Sequence, residues 1–240
     1  MLALDNSRDR AVQSIFDRIA GRYDLLNRVI SFRLDNRWRA EAIRTLATQP
    51  GDIVLDLGAG TGDLTFAAAK RTAGRVRIVG LDFSLPMLQL AQHKKRRISH
   101  GAQTTFVLGS AMAAPIKSAA CDGAMTAFVL RNVSDLPRFF AEAFRIMKPG
   151  ARFVSLDMFP PTARWFAPFY NLYFYRLVPW IGGALAGDRN AYSYLSRSVR
   201  QFHSPETVAG MIAAAGFRNV AIRKFLNGAV CLHSAQKPPA

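Results

Sequence analysis

The sequence predicts a doubly wound α/β fold with a mostly parallel sheet. Short runs rich in Val, Ile, Leu and Phe alternate with longer runs of helical pattern, and the first short run ends in a glycine-rich turn. Parallel strands are joined by crossover helices, so this alternation favours a parallel sheet with helices on both faces. Half of the 240 residues are apolar, which is enough for one core. We therefore expect a single domain over residues 1–240.

The predicted elements of the first half are two strand–helix units and one further strand. They are, in order, a strand at 52–58, a helix at 64–72, a strand at 76–83, a helix at 84–97 and a strand at 104–110. Ser84 stands at the N-cap of the second helix, where its hydroxyl can accept from a free backbone N–H.

The second half continues the alternation. Its predicted elements are a strand at 121–130, a helix through 138–147, a strand at 151–158, a helix near 205–217 and strands at 219–225 and 228–233. Lys148-Pro149-Gly150 closes the first of these helices, because proline cannot continue a helix.

Two segments fall outside this pattern. We expect residues 8–45 to form an N-terminal helical cap and residues 160–200 to form an inserted lid. The lid segment holds eight aromatic residues between positions 165 and 180, with apolar side chains at helical spacing. It can be a core-facing helix, or a lid helix that takes up an apolar tail. Two prolines and several charges interrupt it, so it is too broken to span a membrane, though it could lie on one.

The charge and the cysteine content indicate the environment of the protein. The formal net charge is +16, which predicts attraction to a polyanion, either nucleic acid or an anionic membrane surface. Cys121 and Cys231 lie in apolar strand-like runs, and we interpret them as reduced core residues. The first residues show no secretory signal pattern, which favours a cytoplasmic location. The basic surplus, with the aromatic segment as a lid or interface helix, would hold the protein peripherally against anionic lipid.

The glycine turn points to a cofactor. Gly58, Gly60 and Gly62 follow the first strand in a G-x-G-x-G spacing, with Asp56 before them and Asp63 after them. Glycines let the backbone approach a ligand closely. A phosphate site prefers N–H donors without nearby carboxylates, so two flanking acids favour a ligand with a cationic group. S-adenosylmethionine, with its ammonium and sulfonium groups and no phosphate, fits this pattern.

Further residues extend that site. Asp82 ends the second strand, where its carboxylate can accept from two ribose hydroxyls, and Met87 follows one turn later, where it can pack on adenine. Tyr23 in the cap can close over the cofactor. The alternatives are that Asp82 is a helix-capping acid and that Met87 and Tyr23 are ordinary packing residues.

Several stretches resemble the quinone-biosynthesis C-methyltransferases, which methylate demethylmenaquinone and the related ubiquinone precursor. The resemblance spans nearly the whole chain and rests on FDRIAGRYDLLNRVISF, LDLGAGTGDLT, LRNVSD, DRNAYSYLSRSVRQF and GFRNVAIRKFLNGAVCLH. It implies a class I methyltransferase fold, which is Rossmann-like, with S-adenosylmethionine as methyl donor. It also implies a prenylated hydroquinone as acceptor, demethylmenaquinol above all.

The resemblance assigns individual residues. Thr61 and Asp82 match cofactor contacts of the family, and Ser110 and Ala111 stand beside the expected adenine position, where the family usually has Asn-Ala or Asp-Ala. Met112 replaces a usual acid and Ala127 a usual serine. These departures leave open a non-catalytic protein that binds the cofactor without turnover.

Arg131 and Asn132 are the predicted catalytic residues. They follow the fourth strand at the sheet edge where ligands bind in open α/β folds. Methylation of a hydroquinone ring carbon is favoured by ionisation of the adjacent phenol, and phenols ionise near pH 10. A guanidinium stabilises the phenolate, so Arg131 is assigned that role, and Asn132 orients a second oxygen or a water. The alternative for Arg131 is a structural salt bridge to Asp135 or another acid.

Other functions remain open at this point. A nucleic-acid methyltransferase would use the charge, but the aromatics form one apolar block and are not interleaved with Lys and Arg. A methyltransferase for a phospholipid or another small molecule would have the same fold. No residues show metal-ligand spacing, and His203 and His233 are read as structural. A homodimer is compatible with the sequence.

Overall fold

A computed structural model describes residues 7–163, 165–178, 180 and 189–239. Its elements follow the predicted alternation of strands and helices. The helices are α1 (Ser7–Ile30), α2 (Leu34–Leu46), α3 (Asp63–Arg71), α4 (Leu85–Lys95), α5 (Leu136–Ile146), α6 (Ala167–Leu172), α7 (Arg189–Arg200) and α8 (Pro205–Ala214). The strands are β1 (Ile53–Leu57), β2 (Arg77–Asp82), β3 (Thr104–Leu108), β4 (Cys121–Ala127), β5 (Met147–Met158), β6 (Arg218–Phe225) and β7 (Val230–Gln236).

The strands form a seven-stranded sheet in the order β3-β2-β1-β4-β5-β7-β6. The first five in this order are parallel to one another, whereas β7 pairs antiparallel with both β5 and β6. The chain winds outward from β1 in both directions, so the strand order reverses between β1 and β4. The doubly wound, mostly parallel fold is confirmed, and the reversal point is where such sheets bind ligands.

Two clusters of buried side chains cover the sheet. One contains Phe139 and Phe140 of α5 with Ile212 of α8, and the other contains Trp38 of α2 with Leu64 of α3. Each helix buries one apolar stripe against strands that are themselves buried. Cys121 and Cys231 lie in the first cluster as free, buried thiols, as predicted.

A third cluster joins the N-terminal cap to the inserted segment. Ile19 of α1, Met87 of α4 and Val199 of α7 pack with Phe174, which lies in the turn that follows α6, above the carboxyl ends of the strands. Helix α6 continues into a π-helical turn at Tyr173–Leu177, and π turns are frequent at functional sites. The partition into one domain with a cap and an insertion stays a prediction.

The end of β4 differs from the prediction in a way that matters for the site. The strand predicted to continue to residue 130 ends at Ala127, and Phe128 takes a left-handed backbone with φ of 63°. A left-handed residue cannot continue a strand, so β4 ends there, and a bulky side chain in this region is strained. Leu130–Asn132 then form a 3₁₀ turn, so Arg131 and Asn132 lie on a helical turn after the strand.

The other boundary differences are smaller. Helix α5 ends at Ile146 and β5 begins at Met147, so Lys148-Pro149-Gly150 lies within the paired segment and not in a loop between the two elements. The strand predicted at 151–158 is therefore longer at its start. Residues 109 and 110 lie beyond β3, and α8 ends at Ala214.

Within the described ranges, no helix combines the length and the apolar character that a bilayer crossing requires.

Candidate active site

The glycine turn after β1 is held by its neighbours on both sides. The N–H groups of Gly58 and Ala59 donate to Leu81 O at 2.8 and 2.9 Å, which fixes the turn against the end of β2. Gly58 has φ of 78°, and a Cβ on it would lie 2.4 Å from Val129 Cγ2. Glycine is required there because the loop after β4 approaches the turn so closely.

Gly60 has a different role, because a Cβ on it would meet no atom within 4 Å. Its φ is 55°, and the residue lines a cavity beyond the carboxyl ends of β1 and β2. The open space in front of its Cα is therefore part of a concave surface that a ligand can fill. We call this space the cofactor cavity.

Asp82 is the acid that shapes this cavity. Its Oδ2 accepts from Gly60 N at 2.8 Å and its Oδ1 accepts from Ser84 N at 2.8 Å. Burial raises the pKa of the Asp82 carboxyl to about 6, although the backbone hydrogen bonds to the carboxylate act to lower it. Each carboxylate oxygen has a second lone pair, so Asp82 can accept further hydrogen bonds from a ligand.

Asp56 lies behind the turn and lines neither of the cavities near it. Its Oδ2 accepts from Thr65 Oγ1 at 2.6 Å, and its Oδ1 has no hydrogen-bond partner among the described residues. Burial raises the pKa of its carboxyl to about 7. A direct contact between Asp56 and a cofactor stays a prediction, and the observed bond favours a role in holding α3 to β1.

The remaining predicted cofactor residues surround Gly60 and Asp82. Lining the cofactor cavity are Phe16, Tyr23, Arg39, Gly58, Thr61, Asp63, Met87, Ala127, Phe128 and Asn132. A neighbouring cavity shares Gly58, Asp82 and Asn132 with it and is also lined by Ser110, Ala111 and Met112. The structure thus brings together all the predicted cofactor residues except Asp56. Ser110 Oγ already accepts from Met112 N at 3.2 Å.

Helix α1 forms the outer wall of the cofactor cavity through polar contacts with its floor. Gln13 Nε2 donates to Phe83 O at 2.7 Å, and Ser84 Oγ donates to Asp17 Oδ1 at 2.5 Å. Thr61 Oγ1 donates to Asp24 Oδ1 at 2.5 Å. The predicted contact of Thr61 with a cofactor therefore involves a hydroxyl that α1 already engages.

Oppositely charged side chains pair at the wall of the cofactor cavity. Lys94 forms ion pairs with Asp24 and with Asp63, the latter at 2.9 Å. Burial opposes ionisation of Asp63, but Lys94 and Arg39 together lower the pKa of its carboxyl below the usual value. Asp63 is therefore ionised at neutral pH and can attract a cationic group of a ligand.

Arg131 forms a buried ion pair with a residue that the sequence analysis did not identify. Its Nη1 lies 2.6 Å from Asp157 Oδ1, with the two side chains 4% and 0% exposed. Burial opposes the charge, but attraction from Asp157, with Tyr23 and Tyr194, raises the pKa of the guanidinium above its ordinary value. The alternative of a salt bridge is thus realised with Asp157, whereas Asp135 caps α5.

The ion pair does not use all of the guanidinium. Arg131 Nε has no hydrogen-bond partner among the described residues, although it is buried. A buried donor without a partner costs free energy, and such groups are found where a ligand supplies the partner. Arg131 can therefore hold an anionic oxygen while Asp157 fixes its position.

Asn132 faces the cofactor side of the same turn. Its Oδ1 accepts from Tyr194 Oη at 3.2 Å, and its Nδ2 donates to Phe128 O at 3.4 Å. The Tyr194 contact ties α7 of the inserted segment to the turn after β4. Burial raises the pKa of Tyr194, so its hydroxyl stays protonated and serves as a donor.

A second, largely apolar cavity of about 330 Å³ adjoins the first. Its wall combines residues from the α1–α2 region, the turn after β4, the end of β5, the α6 region with the π turn, and the loop after β6. They include Ile30, Phe32, Trp38, Phe128, Arg131, Met158, Phe166, Phe169, Tyr170, Tyr173, Phe174 and Leu226. Phe128 lines both cavities. Its ring lies under the guanidinium groups of Arg39 and Arg131, at 5.1 and 5.8 Å from the ring centroid. We call this space the apolar cavity.

The residues of the cofactor cavity fit S-adenosylmethionine. Asp82 offers carboxylate oxygens to ribose hydroxyls, Met87 offers an apolar surface, and Asp63 offers a charge to the ammonium group. Arg39 is 6% exposed and lines the cavity, and its Nε lies 3.5 Å from the Asp35 carboxylate, which fixes the side chain. The other guanidinium nitrogens of Arg39 can hold the carboxylate of the cofactor. Open space in front of Gly60 leaves room for a ligand at the turn.

Sequence reasoning missed Asp157, Arg39 and Phe128. Asp157 could have been found, because an acid at the carboxyl end of an apolar strand is the same signal that pointed to Asp82. Arg39 gives no such signal, since it is one of many arginines and is buried only because α2 packs near Phe128. His233 is buried with Nε2 at 2.9 Å from Pro205 O, and His203 is exposed.

A glycine pair tests whether the cofactor cavity is used. Gly60→Ala should weaken S-adenosylmethionine binding by at least about tenfold, because a methyl group there occupies ligand space. Gly51 is the matched control, with φ of 92° and likewise no atom within 4 Å of a Cβ. Titration calorimetry measures the affinities, and both variants should lose about 1 kcal/mol of stability through backbone strain. Equal affinity in the two variants would contradict the assignment.

The chain is similar to several known proteins. A model of the ubiE/COQ5 methyltransferase family matches residues 4–237. The chain is 38% identical over 224 residues to a demethylmenaquinone methyltransferase of Thermus thermophilus, covering 93% of this chain and 100% of that protein. It is 37% identical to a ubiquinone/menaquinone biosynthesis C-methyltransferase of Geobacter sulfurreducens, covering 94% and 88%.

Solved structures show the same fold at lower identity. A SAM-dependent methyltransferase from Thermotoga maritima, described as a possible histamine N-methyltransferase, superposes with a TM-score of 0.67. Its sequence is 17% identical, and the alignment covers 94% of this chain and 99% of that one. The shared feature is the fold.

Proposed function

Because the chain belongs to the ubiE/COQ5 methyltransferase family and is an S-adenosylmethionine-dependent methyltransferase, we propose that it methylates a ring carbon of a prenylated hydroquinone. The reaction is the C-methylation step of menaquinone or ubiquinone biosynthesis, with demethylmenaquinol as the favoured acceptor. The names of the relatives from Thermus thermophilus and Geobacter sulfurreducens support this acceptor class.

The observation that carries the proposal is the junction of the two cavities at Phe128. An apolar space of about 330 Å³ meets the cofactor cavity there, with the buried guanidinium of Arg131 in its wall. An aromatic ring with an apolar tail matches the lining, and a ring oxygen matches the unpartnered Nε of Arg131. Methyl donor and acceptor then lie on opposite sides of one residue.

In the proposed mechanism, the protein makes the ring carbon electron-rich and holds it in position. Bound in the cofactor cavity, S-adenosylmethionine supplies an electrophilic methyl group. Arg131 binds the phenolic oxygen next to the reacting carbon and stabilises its anion, which lowers the pKa of that phenol from about 10. Asp157 keeps the guanidinium in place, and the apolar wall excludes bulk water, which strengthens the charge interaction.

The phenolic proton leaves to water, because Asp157 already accepts from Arg131 and Tyr23 is a poor proton acceptor at neutral pH. Tyr23 lies close enough to Arg131 to respond to its charge, yet burial raises the pKa of its hydroxyl. Asn132 lines the cofactor cavity and can orient a water or the second ring oxygen through Nδ2. After the ring carbon has taken the methyl group and S-adenosylhomocysteine has formed, that carbon loses its hydrogen as a proton to water and the oxygen regains a proton, which restores the aromatic quinol. Holding the acceptor carbon in line with the methyl group would supply the remaining rate enhancement.

The acceptor also suggests where the enzyme works. A prenylated quinol dissolves in lipid, and a chain with a net charge of +16 is attracted to anionic lipid. We therefore propose peripheral contact with an anionic membrane at the cytoplasmic side. A homodimer stays a prediction.

Methyl transfer from labelled S-adenosylmethionine tests the function. Reduced, short-tailed demethylmenaquinone should give a methylated product, with a demethoxy-type benzoquinol, a phospholipid and RNA in parallel reactions. The benzoquinol reaction measures the breadth of acceptor use. Product from phospholipid or RNA alone would overturn the proposal, and cofactor binding without product from any acceptor would identify a non-catalytic binder.

A further inference from the structure

Large apolar side chains lie exposed around the mouth of the apolar cavity. Phe32 and Phe169 line the cavity yet are 71% and 69% exposed, and Leu172, one helical turn from Phe169, is 59% exposed. Leu226 lines the cavity from the other side and is 41% exposed. We call Phe32, Phe169, Leu172 and Leu226 the apolar rim. Several exposed apolar side chains around one opening mark an interaction surface.

The apolar rim is held in place and is not a fraying segment. Phe32, in the turn between α1 and α2, stacks on Tyr173 with ring centroids 5.6 Å apart. Tyr173 Oη donates to Ile30 O at 2.9 Å, which joins the inserted segment to the end of α1. Two chain segments thus present apolar side chains together at one opening, and Phe32 keeps its left-handed φ of 50° to do so.

Exposed arginines lie close to the apolar rim along the chain. Arg33 directly follows Phe32, Arg28 lies four residues before it, Arg37 follows in α2, and Arg176 lies four residues beyond Leu172. The charge of Arg28 also acts on Asp63 of the cofactor cavity. None of these four guanidinium groups forms an ion pair within the part of the chain that the structure describes. The surface is therefore both apolar and cationic, which matches the boundary of an anionic bilayer, where apolar groups enter the lipid and arginines meet phosphates.

We infer that the apolar rim and these four arginines dock the protein on an anionic bilayer, with the mouth of the apolar cavity facing the lipid. The benefit of this docking rests on the proposed function: a prenylated quinol would pass from lipid into the cavity without crossing water. A second copy of the chain is a poor occupant of this surface, since four unpaired arginines on each copy would repel one another. Nucleic acid is also a poor occupant, since it offers nothing apolar to the rim.

Vesicle binding without any quinol tests the docking surface. The protein is sedimented with vesicles of phosphatidylcholine containing about 30% phosphatidylglycerol, and with pure phosphatidylcholine. Phe32→Ser with Phe169→Ser should weaken binding to the anionic vesicles by at least about tenfold. Leu85→Ser with Leu108→Ser is the control, because both leucines are also exposed large apolar residues, at 50% and 41%, and line neither the cofactor nor the apolar cavity. The control should bind as the wild type does.

The arginines give a second signature. Arg28→Gln, Arg33→Gln and Arg176→Gln together should weaken binding to anionic vesicles and leave weak binding to phosphatidylcholine unchanged. Raising NaCl from about 0.05 to about 0.5 M should produce the same loss in the wild type. Equal loss in the rim variant and the leucine control would overturn the inference, as would a dimer that only the rim variant disrupts.

The wild-type protein supplies a test that does not depend on folding of variants. Trp165 and Trp180 lie in the inserted segment and are 68% and 63% exposed. Vesicles with brominated acyl chains should quench their fluorescence if this segment enters the lipid, and absence of quenching would overturn the inference. Failure of the proposed function would give a different result. A protein that docks through the apolar rim but methylates no quinol in detergent solution would refute the proposed acceptor and leave the docking surface intact.

Discussion

Replacing Arg131 with methionine is expected to lower kcat for quinol methylation by about 10²- to 10³-fold, which is the usual loss when a single group that stabilises a developing oxyanion is removed. The dissociation constant of S-adenosylmethionine should change by less than about threefold, because Arg131 lines the apolar cavity and not the cofactor cavity. Single-turnover kinetics and titration calorimetry measure the two quantities separately.

The buried partner of Arg131 complicates this variant. Without the guanidinium, Asp157 would be a buried carboxylate with no counter-charge, and breaking a buried pair in this way costs about 3–5 kcal/mol. The double variant Arg131→Met with Asp157→Asn removes both charges. It should recover most of the stability and none of the activity. Recovery of activity in the double variant would show that Arg131 serves only to neutralise Asp157.

The pH dependence separates catalysis from structure. In the wild type, the guanidinium keeps the bound phenol partly ionised near neutral pH. In the double variant, kcat should rise about tenfold per pH unit toward the ordinary phenol pKa of about 10, because hydroxide must then supply the ionisation. A flat profile would assign Arg131 a purely structural role.

Much of this site follows from rules that act locally in the chain. A glycine-rich turn after an apolar strand and an acid at the end of the next strand predict where Gly60 and Asp82 lie, because parallel strands end at one edge of the sheet. The same rule placed Arg131 and Asn132 near that edge. The structure adds that Phe128 stops the strand, which turns Arg131 toward the apolar cavity and Asn132 toward the cofactor cavity.

What could not be predicted depends on packing between distant segments. The apolar cavity is lined by Phe32 of the α1–α2 turn, Tyr173 of the π turn and Leu226, which precedes β7. No local sequence pattern relates these positions. The ion pair of Arg131 joins residues 26 positions apart across β4 and β5. Contacts of α1 with Phe83, Ser84 and Thr61 likewise depend on how the cap settles on the sheet. Aromatic content alone predicted an apolar segment but not which rings face inward.

Asp82→Ala should weaken S-adenosylhomocysteine binding by at least about 100-fold, which corresponds to the loss of two charge-assisted hydrogen bonds. Two causes are combined in that number. The substitution removes the proposed acceptor for the ribose hydroxyls, and it also leaves Gly60 N and Ser84 N without their partner. The variant therefore tests the importance of Asp82 without saying how it acts.

A ligand that lacks the ribose hydroxyls separates the two causes. The 2′,3′-dideoxy analogue should bind the wild type about 100-fold more weakly than S-adenosylhomocysteine does. Asp82→Ala should lower the affinity for this analogue by less than about a further tenfold, because the contact between the carboxylate and the ribose hydroxyls is already absent. If Asp82 acts only by shaping the turn, the analogue and the parent should lose equal affinity. Since burial raises the pKa of Asp82 to about 6 and hydroxyls donate best to the ionised form, affinity for the parent should rise between about pH 5 and about pH 7. The analogue should show little of that rise, because its binding does not depend on the free lone pairs of the carboxylate.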